Sequence, residues 1–586
     1  MRNYFNKIDE YLDKSDWEVN ENSNAHYSYG ALKKHVSDLV MEDYWLGRIY
    51  DKKVANAHIN GDFHIHDLGD LTLYCCGYSM RDIIEKGIRG ISNLSKADPA
   101  KHFDSLLAQM ANIITVYQNE IAGAVAFSSF DTYAAPFVKE DNLSYEQVYQ
   151  EMQKFIWAIN SNSRMGSEPA FTNLTFDITP SRDIIDQKVW FNGTRLDYTY
   201  RECQQEMDLI NRAFYQIMLN GDANDAPHSY PIPTYNIHER FDWDNPNNEM
   251  LWEMAGKYGI PYFANFLNSE MNPEDVRSMC CRIQLDKREL RRRGGGLFGA
   301  DEHTGSIGVV TMNLPRYAFI AKNEEQFFQI LENKMEVAKN SLEQKRKFIT
   351  ERVLKTGLTP AFIEYVGKLD NHFSTIGFVG QNEMCLNLFN ESIKSDKGHN
   401  FSVEVLKFMR EKVADFQEET GNLYNLEASP AESTAYRLAL KDREEFGDLI
   451  ATQIGANNEP YYTNSCHLAV KDIESITQLY EHQNDLQKLP TGGTVIHNYY
   501  NQPISGEKIK KITKTICENY EVPYISHSPL YSVCPIHGQL QGFYNKCPEC
   551  GTVVESYQRI TGYIRPISKF NNGKKAEFFD RSQLKI

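Results

Sequence analysis

The chain has 586 residues, of which 41% are hydrophobic and 24% charged, and its formal net charge is −17 at pH 7. This balance is that of a folded chain and excludes an intrinsically disordered one. The acidic charge argues against a broad phosphate-binding surface, so we expect no direct binding to nucleic acid. No stretch approaches the roughly 20 apolar residues of a membrane helix, and residues 1–21 contain no signal-peptide core. We therefore expect a cytoplasmic protein without a membrane anchor.

Apolar spacing predicts a body of alternating helices and strands. Residues 32–48 and 323–354 carry apolar side chains at helical spacing among charges, which predicts two amphipathic helices. The β-branched runs at 306–314 and 492–500, bounded by turn residues, predict strands. This alternation favours an α/β barrel or a doubly wound sheet. From Tyr531 onward the composition changes to cysteine, proline and glycine, which indicates a separate small module.

Two histidines near the N-terminus stand two residues apart in HIHDL. If the segment is extended, His64 and His66 lie on one face of a strand. A metal-binding pair and a purely structural pair both fit this spacing.

The C-terminal module carries the spacing of a zinc site. Cys534 and His537 are spaced C-x2-H, and Cys547 and Cys550 are spaced C-x2-C. Two such pairs across a short hairpin can surround Zn²⁺ tetrahedrally, and a closed four-ligand site is structural. Another residue could take the place of His537. A redox CxxC lacks its βαβ context, and a nucleic-acid-binding knuckle is disfavoured by the acidity of the chain.

The remaining cysteines include two adjacent pairs, Cys75–Cys76 in LTLYCCGYSM and Cys280–Cys281 in RSMCCRIQLD. A buried free cysteine is usually a small hydrophobic residue. Radical chemistry is the alternative, because it needs a neutral thiol and apolar surroundings raise the pKa of a thiol.

Gly562 stands near the C-terminus in QRITGYIRP, where a simple turn would account for a glycine. The stretch nevertheless resembles the radical loop of glycyl radical enzymes. With the zinc spacing directly upstream, the chain resembles the anaerobic, class III ribonucleotide reductases. The segments NGDFHIHDLGDL, YCCGYS, RSMCCR, TGSIGVVTMNLPR, EASPAESTAYRLA and LPTGGTVIH resemble segments of that family, in the family's order.

The resemblance implies a fold and a division of the chain. The expected fold is α/β, a ten-stranded α/β barrel of two antiparallel five-stranded halves, with a C-terminal zinc module and a glycyl radical loop. Cys281 would lie on a finger loop inside the barrel, and the Gly562 loop would enter from the other end. The expected domains are a catalytic barrel (1–525), a zinc-binding module (526–552) and a glycyl radical domain (553–586).

The resemblance also implies a reaction, the reduction of ribonucleoside triphosphates to 2′-deoxyribonucleoside triphosphates for DNA synthesis. A radical S-adenosylmethionine activase would install a radical on Gly562, which would pass to Cys281. The thiyl radical would remove the 3′ hydrogen of the ribose, and Cys75 would supply a proton and an electron.

Further binding and catalytic residues are expected on three segments. Glu432 in SPAES is a candidate base for the 3′ hydroxyl, although a helix-capping glutamate fits the same place. Ser306 is a candidate substrate-binding residue. The run Thr491, Gly492, Gly493 and Thr494 can offer N–H groups and hydroxyls to phosphate, or form a plain hairpin turn.

The resemblance implies a homodimer whose interface binds a dNTP or ATP effector that sets substrate choice. The reductant would be a thioredoxin-like protein or formate. Formate-using members generally have asparagine where this chain has Ser306, and together with Glu432 this favours the thioredoxin type. The family segment SDWEVNEN begins at Ser15, so we expect no N-terminal ATP-cone. A glycyl radical lyase and a non-catalytic, zinc-containing nucleotide-binding regulator are the alternatives.

Overall fold

The structure is a computed structural model that describes residues 4–15, 27–89, 91, 95–166, 168–269, 303–455 and 457–584. Its strands, in chain order, are β1 (Phe63–Ile65), β2 (Cys75–Tyr78), β3 (Val125–Phe127), β4 (Thr172–Phe176), β5 (Lys188–Phe191), β6 (Thr194–Thr199), β7 (Ile232–Ile237), β8 (Tyr262–Asn265), β9 (Gly305–Asn313), β10 (His372–Val379), β11 (Tyr424–Ala428), β12 (Gln453–Ile454), β13 (Pro460–Tyr461), β14 (Ile496–Tyr500), β15 (Tyr524–Pro529), β16 (Tyr531–Cys534), β17 (Gly538–Gln541), β18 (Glu555–Arg559) and β19 (Ile564–Pro566).

The α-helices connect the strands along the chain, and many of them pack against the strands. They span Tyr4–Asp13, Tyr29–Tyr44, Lys52–Asn60, Met80–Lys86, Phe103–Tyr117, Phe130–Glu140, Tyr145–Ile159, Gln204–Asn220, Glu249–Lys257, Leu314–Ile320, Glu324–Phe348, Pro360–Tyr365, Gln381–Phe389, Asp396–Thr420, Ser433–Phe446, Ile476–Gln487, Gly506–Asn519 and Asn572–Asp580. No helix in the described ranges is both long and apolar enough to cross a membrane.

The central sheet follows the order β11-β10-β9-β2-β3-β4-β7-β8-β15-β14, with β1 also paired to β9. Strands β2, β3, β4, β7 and β8 run parallel to one another. Strands β9 to β11 are parallel, as are β14 and β15, and the two sets meet antiparallel at β2–β9 and β8–β15.

The two ends of this path are bridged. Glu427 at the end of β11 pairs in parallel with Gly492, just before β14, and Ala428 donates its N–H to the carbonyl of Gly492 at 2.9 Å. The predicted α/β class is therefore confirmed, and ten strands in two oppositely directed sets agree with the predicted barrel.

The strands β9 and β10 are buried on both faces. Every residue of β9 and β10 is buried, as expected for parallel strands covered by helices. Their apolar side chains belong to the main core together with those of helix Glu324–Phe348, whereas Ser306, Thr311 and Thr375 make hydrogen bonds between hydroxyl groups.

The helices predicted at 32–48 and 323–354 are confirmed, each ending in a π-helical turn, Trp45–Ile49 and Ile349–Leu354. The strand predicted at 306–314 is β9. The prediction for 492–500 is wrong over its first residues, because Gly493 has a left-handed φ of 69° and the strand begins only at Ile496.

The strand directions define two mouths of the barrel. β8 ends and β9 begins at one mouth, which follows from the antiparallel pairing of β2 with the start of β9. β11 ends and β8 begins at the opposite mouth, which we call the β11 mouth.

A smaller sheet, β17-β16-β18-β19, lies at the C-terminus. It contains both the cysteine-rich module and the hairpin with Gly562. Strand β15 crosses the predicted boundary between residues 525 and 526, and the pairing of β16 with β18 joins the two predicted C-terminal units in one sheet. Neither observation tests whether the three parts fold separately, and the division into three domains stays a prediction. Helix Asn572–Asp580 then packs against helix Ser433–Phe446.

Candidate active site

Gly562 lies at the tip of the β18–β19 hairpin. Arg559 pairs with Ile564, and the N–H of Ile560 donates to the carbonyl of Tyr563 at 3.0 Å, so the residue does occupy a turn. Gly562 does not, however, have a positive φ. A Cβ atom built on it would have no heavy atom of a non-adjacent residue within 4 Å. Neither the backbone angle nor the available space requires a glycine at this position.

Two side chains hold the carbonyl of Gly562. The phenol of Tyr262, the first residue of β8, donates to it at 2.5 Å, and the guanidinium of Arg559 donates at 3.0 Å. Arg559 is buried, lies 4.4 Å from the centroid of the Tyr262 ring, and also donates to the carbonyls of Gly259 and Ile260. The hairpin tip is thereby fixed at the β11 mouth.

A buried ion group anchors the strand that leads into the tip. The guanidinium of Arg581 donates to the carbonyls of Arg559 at 2.9 Å and Ile560 at 3.2 Å, and to the carboxylate of Glu577 at 2.8 Å. Lys574 pairs with the same carboxylate at 2.5 Å. Burial favours the neutral acid, but the charges of Lys574 and Arg581 keep the pKa of Glu577 below its usual value.

Glu432 is joined to the hairpin by the residue after Gly562. The hydroxyl of Tyr563 donates to the carboxylate of Glu432. Burial and the charge of Glu432 raise the pKa of Tyr563 well above its usual value, so the phenol stays protonated as a donor. Glu432 precedes helix Ser433–Phe446, but its side chain makes no capping hydrogen bond. The contact to Tyr563 therefore replaces the capping role considered from the sequence.

A cavity of about 680 Å³, including the part open to solvent, lies beside the tip. Thr561, Ser429 and Gly493 are among its lining residues. Within the run 491–494, the hydroxyl of Thr491 accepts the N–H of Leu426 at 3.2 Å, and Gly492 bridges β11. The buried hydroxyl of Thr494 has no hydrogen-bond partner among the described residues. Because the run pairs in parallel with β11 and leads into β14, it is not a plain hairpin turn.

A chain of hydroxyl groups that the sequence did not reveal leads away from the cavity. The hydroxyl of Ser429 contacts that of Thr311 at 2.9 Å, and Thr311 contacts Nε2 of His66 at 2.8 Å. Each residue comes from a different part of the sequence, so no local pattern could have indicated the chain. Burial lowers the pKa of His66 to about 4, which keeps the imidazole neutral.

The His64 and His66 rings lie 4.8 Å apart, and Arg437 contacts Nδ1 of His64 at 3.3 Å. Within the part of the chain that the structure describes, the only group of three or more potential metal ligands is in the C-terminal module. The two histidines thus contact protein groups, as a structural pair would, and a metal-binding role stays a hypothesis.

Cys75 and Ser306 are brought together as opposite residues of β2 and β9. The hydroxyl of Ser306 contacts that of Thr375 at 3.0 Å, and Thr375 donates to Asn425 at 2.8 Å. Ser306 and Thr311 are five residues apart on β9, a span of about 16 Å. The structure therefore places Cys75 along the barrel from the Gly562 tip rather than beside it.

Cys281 lies outside the described residues, within 270–302. The strands that flank this segment are β8 and β9, whose adjoining ends, Asn265 and Gly305, lie at the mouth opposite to the Gly562 hairpin.

The four predicted metal ligands form one group at the end of the smaller sheet. The donor atoms of Cys534, His537, Cys547 and Cys550 all lie within 4.8 Å of one another. The sulfurs of Cys534 and Cys550 are 3.7 Å apart, which matches the tetrahedral edge of about 3.8 Å given by Zn–S bonds of about 2.3 Å. Nδ1 of His537 is 3.5 Å from the sulfur of Cys547. The donor set and its geometry fit a zinc site.

The chain is similar over most of its length to anaerobic ribonucleoside-triphosphate reductases. The family model for anaerobic ribonucleoside-triphosphate reductase matches residues 21–583. The anaerobic ribonucleoside-triphosphate reductase of Haemophilus influenzae is 24% identical over 634 positions, covering 97% of this chain and 84% of that protein.

Two crystal structures of the anaerobic ribonucleotide reductase from Thermotoga maritima share the fold. The structure with dATP in the specificity site has a TM-score of 0.72 at 23% identity and covers 96% of this chain and 94% of its own. The complex with dATP and CTP has a TM-score of 0.73 at 22% identity, with coverages of 97% and 98%. Because the family model spans nearly the whole sequence, the chain belongs to the anaerobic ribonucleoside-triphosphate reductases, a family of oxidoreductases.

Proposed function

We propose that this protein reduces ribonucleoside triphosphates to 2′-deoxyribonucleoside triphosphates with a radical held on Gly562. One observation carries the proposal. Gly562 is a glycine that neither its φ nor the surrounding space requires, and it lies at a fixed hairpin tip beside a cavity. A chemical requirement for glycine explains what the geometry does not.

The chemical requirement is planarity. A radical on Cα is stabilised by the flanking amide nitrogen and carbonyl when the carbon becomes planar, and a side chain would clash with the neighbouring peptide groups in that form. A radical S-adenosylmethionine activase removes a hydrogen atom from Gly562. The radical then moves to Cys281 by transfer of a hydrogen atom from the thiol, and the thiyl removes the 3′ hydrogen of the ribose.

Glu432 and Cys75 complete the proposed chemistry. Glu432 accepts the proton of the 3′ hydroxyl, and its position is fixed by the hydrogen bond from Tyr563. Cys75 lies on the strand β2, opposite Ser306, and supplies a proton and an electron as the 2′ hydroxyl leaves as water. The reaction consumes two electrons in total, which a thioredoxin-like dithiol or formate provides.

We assign the nucleotide phosphates to the run Thr491, Gly492, Gly493 and Thr494. Gly493 lines the cavity, and the unpaired hydroxyl of Thr494 offers a polar group. Because the similar Thermotoga maritima enzyme binds dATP in a specificity site and also CTP, we extend to this chain a nucleotide substrate and a dNTP or ATP effector at a homodimer interface.

We assign one structural Zn²⁺ to Cys534, His537, Cys547 and Cys550. The ion would join β16 and β17 to the segment before β18, which leads directly to the Gly562 hairpin. A closed set of four protein ligands leaves no open position for substrate, so the metal stabilises the fold.

Anaerobic activation with the activase and S-adenosylmethionine tests the function. The activated protein should show a glycyl doublet by electron paramagnetic resonance and form deoxynucleotides from at least one ribonucleoside triphosphate. Parallel assays with a thioredoxin system and with formate identify the reductant. A doublet without deoxynucleotide formation with either reductant would favour a glycyl radical lyase, and no doublet would favour a non-catalytic regulator.

A further inference from the structure

The carbonyl of Gly562 accepts two hydrogen bonds, from Tyr262 at 2.5 Å and from Arg559 at 3.0 Å. We propose that these two donors set the stability of the glycyl radical, acting as positioning residues that fix how strongly the carbonyl withdraws spin from Cα. The inference rests on the proposed function, because it assumes that Gly562 is the radical site.

The physical argument concerns where the unpaired electron resides. In a planar glycyl radical the spin is shared between Cα, the amide nitrogen and the carbonyl oxygen. A donor to that oxygen stabilises the form in which electron density moves onto oxygen. A charged donor acts more strongly than a neutral one, and Arg559 is charged. Both donors should therefore stabilise the radical more than the closed-shell glycine.

Both donors are held in place before any reaction. Tyr262 is fixed by the pairing of β8 with β7 and β15. Arg559 is buried, and its guanidinium is held by the carbonyls of Gly259 and Ile260 and by the Tyr262 ring. Donors that need no reorganisation transfer most of their effect to the species that forms.

The two hydrogen bonds also affect the equilibrium of radical transfer between Gly562 and Cys281. Radical transfer breaks the S–H bond of Cys281 and forms the Cα–H bond of Gly562, with one hydrogen atom moved and no electron gained or lost overall. Stabilising the glycyl radical holds the resting radical on Gly562 and keeps the thiyl population small. Weakening a donor shifts the equilibrium toward the thiyl, where the radical is lost to side reactions.

The size of the effect follows from ordinary hydrogen-bond strengths. A neutral hydrogen bond changes an equilibrium constant by a factor of about 2 to 10. Only the difference between radical and closed-shell glycine counts here, so Tyr262→Phe should raise the anaerobic decay rate of the radical about two- to fivefold, with a larger effect for Arg559→Gln.

The experiment compares the activated wild-type protein with Tyr262→Phe and Arg559→Gln by electron paramagnetic resonance. Tyr235→Phe is the matched control, because it removes a buried phenol hydroxyl from the neighbouring strand β7. The ring of Tyr235 packs on Phe176 and Phe263 and makes no contact with Gly562 in the described structure. We expect a wider α-proton splitting and faster decay in both test variants, since more spin stays on Cα, and no change in the control. A purely structural role would change the radical yield but not the splitting.

A second measurement needs no variant. Proton electron–nuclear double-resonance spectra of the wild-type radical, recorded in H₂O and in D₂O, should show weakly coupled exchangeable protons from the two donors. A wild-type doublet without such protons, or a splitting and decay rate in Tyr262→Phe equal to wild type, would overturn this inference and leave the proposed function intact. A wild-type protein that forms no doublet at all would overturn both.

Discussion

Replacement of Gly562 by alanine separates a chemical need for glycine from a structural one. The added methyl group would have no heavy atom of a non-adjacent residue within 4 Å, and the backbone φ is not positive. The substitution therefore introduces neither a clash nor backbone strain. Alanine also restricts the unfolded chain, which stabilises a protein by about 0.4–1 kcal/mol at a compatible site. We expect the free energy of unfolding to rise by about 0–1 kcal/mol and the thermal midpoint to change by less than about 2 °C.

The same variant should accept no radical, because the planar radical would force the methyl group against the adjacent peptide units. Thermal unfolding and anaerobic electron paramagnetic resonance after activation measure the two properties on one sample. Gly573→Ala is the contrasting control, since its Cβ would meet the ring of Tyr436 at 2.6 Å, so it should destabilise the fold. A Gly562→Ala variant that unfolds several degrees early, or one that still gives a doublet, would refute the reasoning.

Three further predictions address the metal, the thiyl and the anchor of the hairpin. Purified protein should contain one zinc per chain by elemental analysis, and wild-type protein free of zinc would contradict the assignment. The double variant Cys547→Ser, Cys550→Ser should lose both the zinc and the folded module, which thermal unfolding would show. Cys281→Ala should form the glycyl radical at wild-type yield but make no deoxynucleotide, and substantial turnover would exclude the thiyl role. Arg581→Met should lower the free energy of unfolding by about 3 kcal/mol in denaturant titrations, because it breaks the buried Arg581–Glu577 pair and leaves only the Lys574–Glu577 pair. Unchanged stability would show that the ion group does not anchor the tail.

Local sequence patterns correctly predicted the features that are formed by residues close together in the chain. The spacing of Cys534, His537, Cys547 and Cys550 gave the metal group, because two close pairs across a hairpin must meet. Helical spacing gave both long helices. The prediction at 492–500 failed over its first residues because β-branched and glycine residues also suit a bridge between strands, and the φ of Gly493 is set by its approach to β11.

Contacts between distant segments could not be predicted in the same way. Tyr262 reaches Gly562 from 300 residues away in the sequence, and Thr311 meets Ser429 from 118 residues away. Nothing in the residues around Tyr262 distinguishes it from other tyrosines at the start of a strand. Of the two donors to the Gly562 carbonyl, only Arg559 lies close to Gly562 in the sequence, three positions before it. Its burial becomes clear only once the barrel is assembled.

Exposure of the activated protein to oxygen tests the central claim, that Gly562 carries the radical, most directly. Oxygen adds to a glycyl radical at Cα and the backbone then breaks at that residue. The account predicts cleavage at Gly562 that releases the 24 residues from Tyr563 to Ile586, located by mass spectrometry. Protein never treated with the activase, and Gly562→Ala after treatment, should remain whole in air. Cleavage at Gly573 instead, or equal cleavage in Gly562→Ala, would contradict the account.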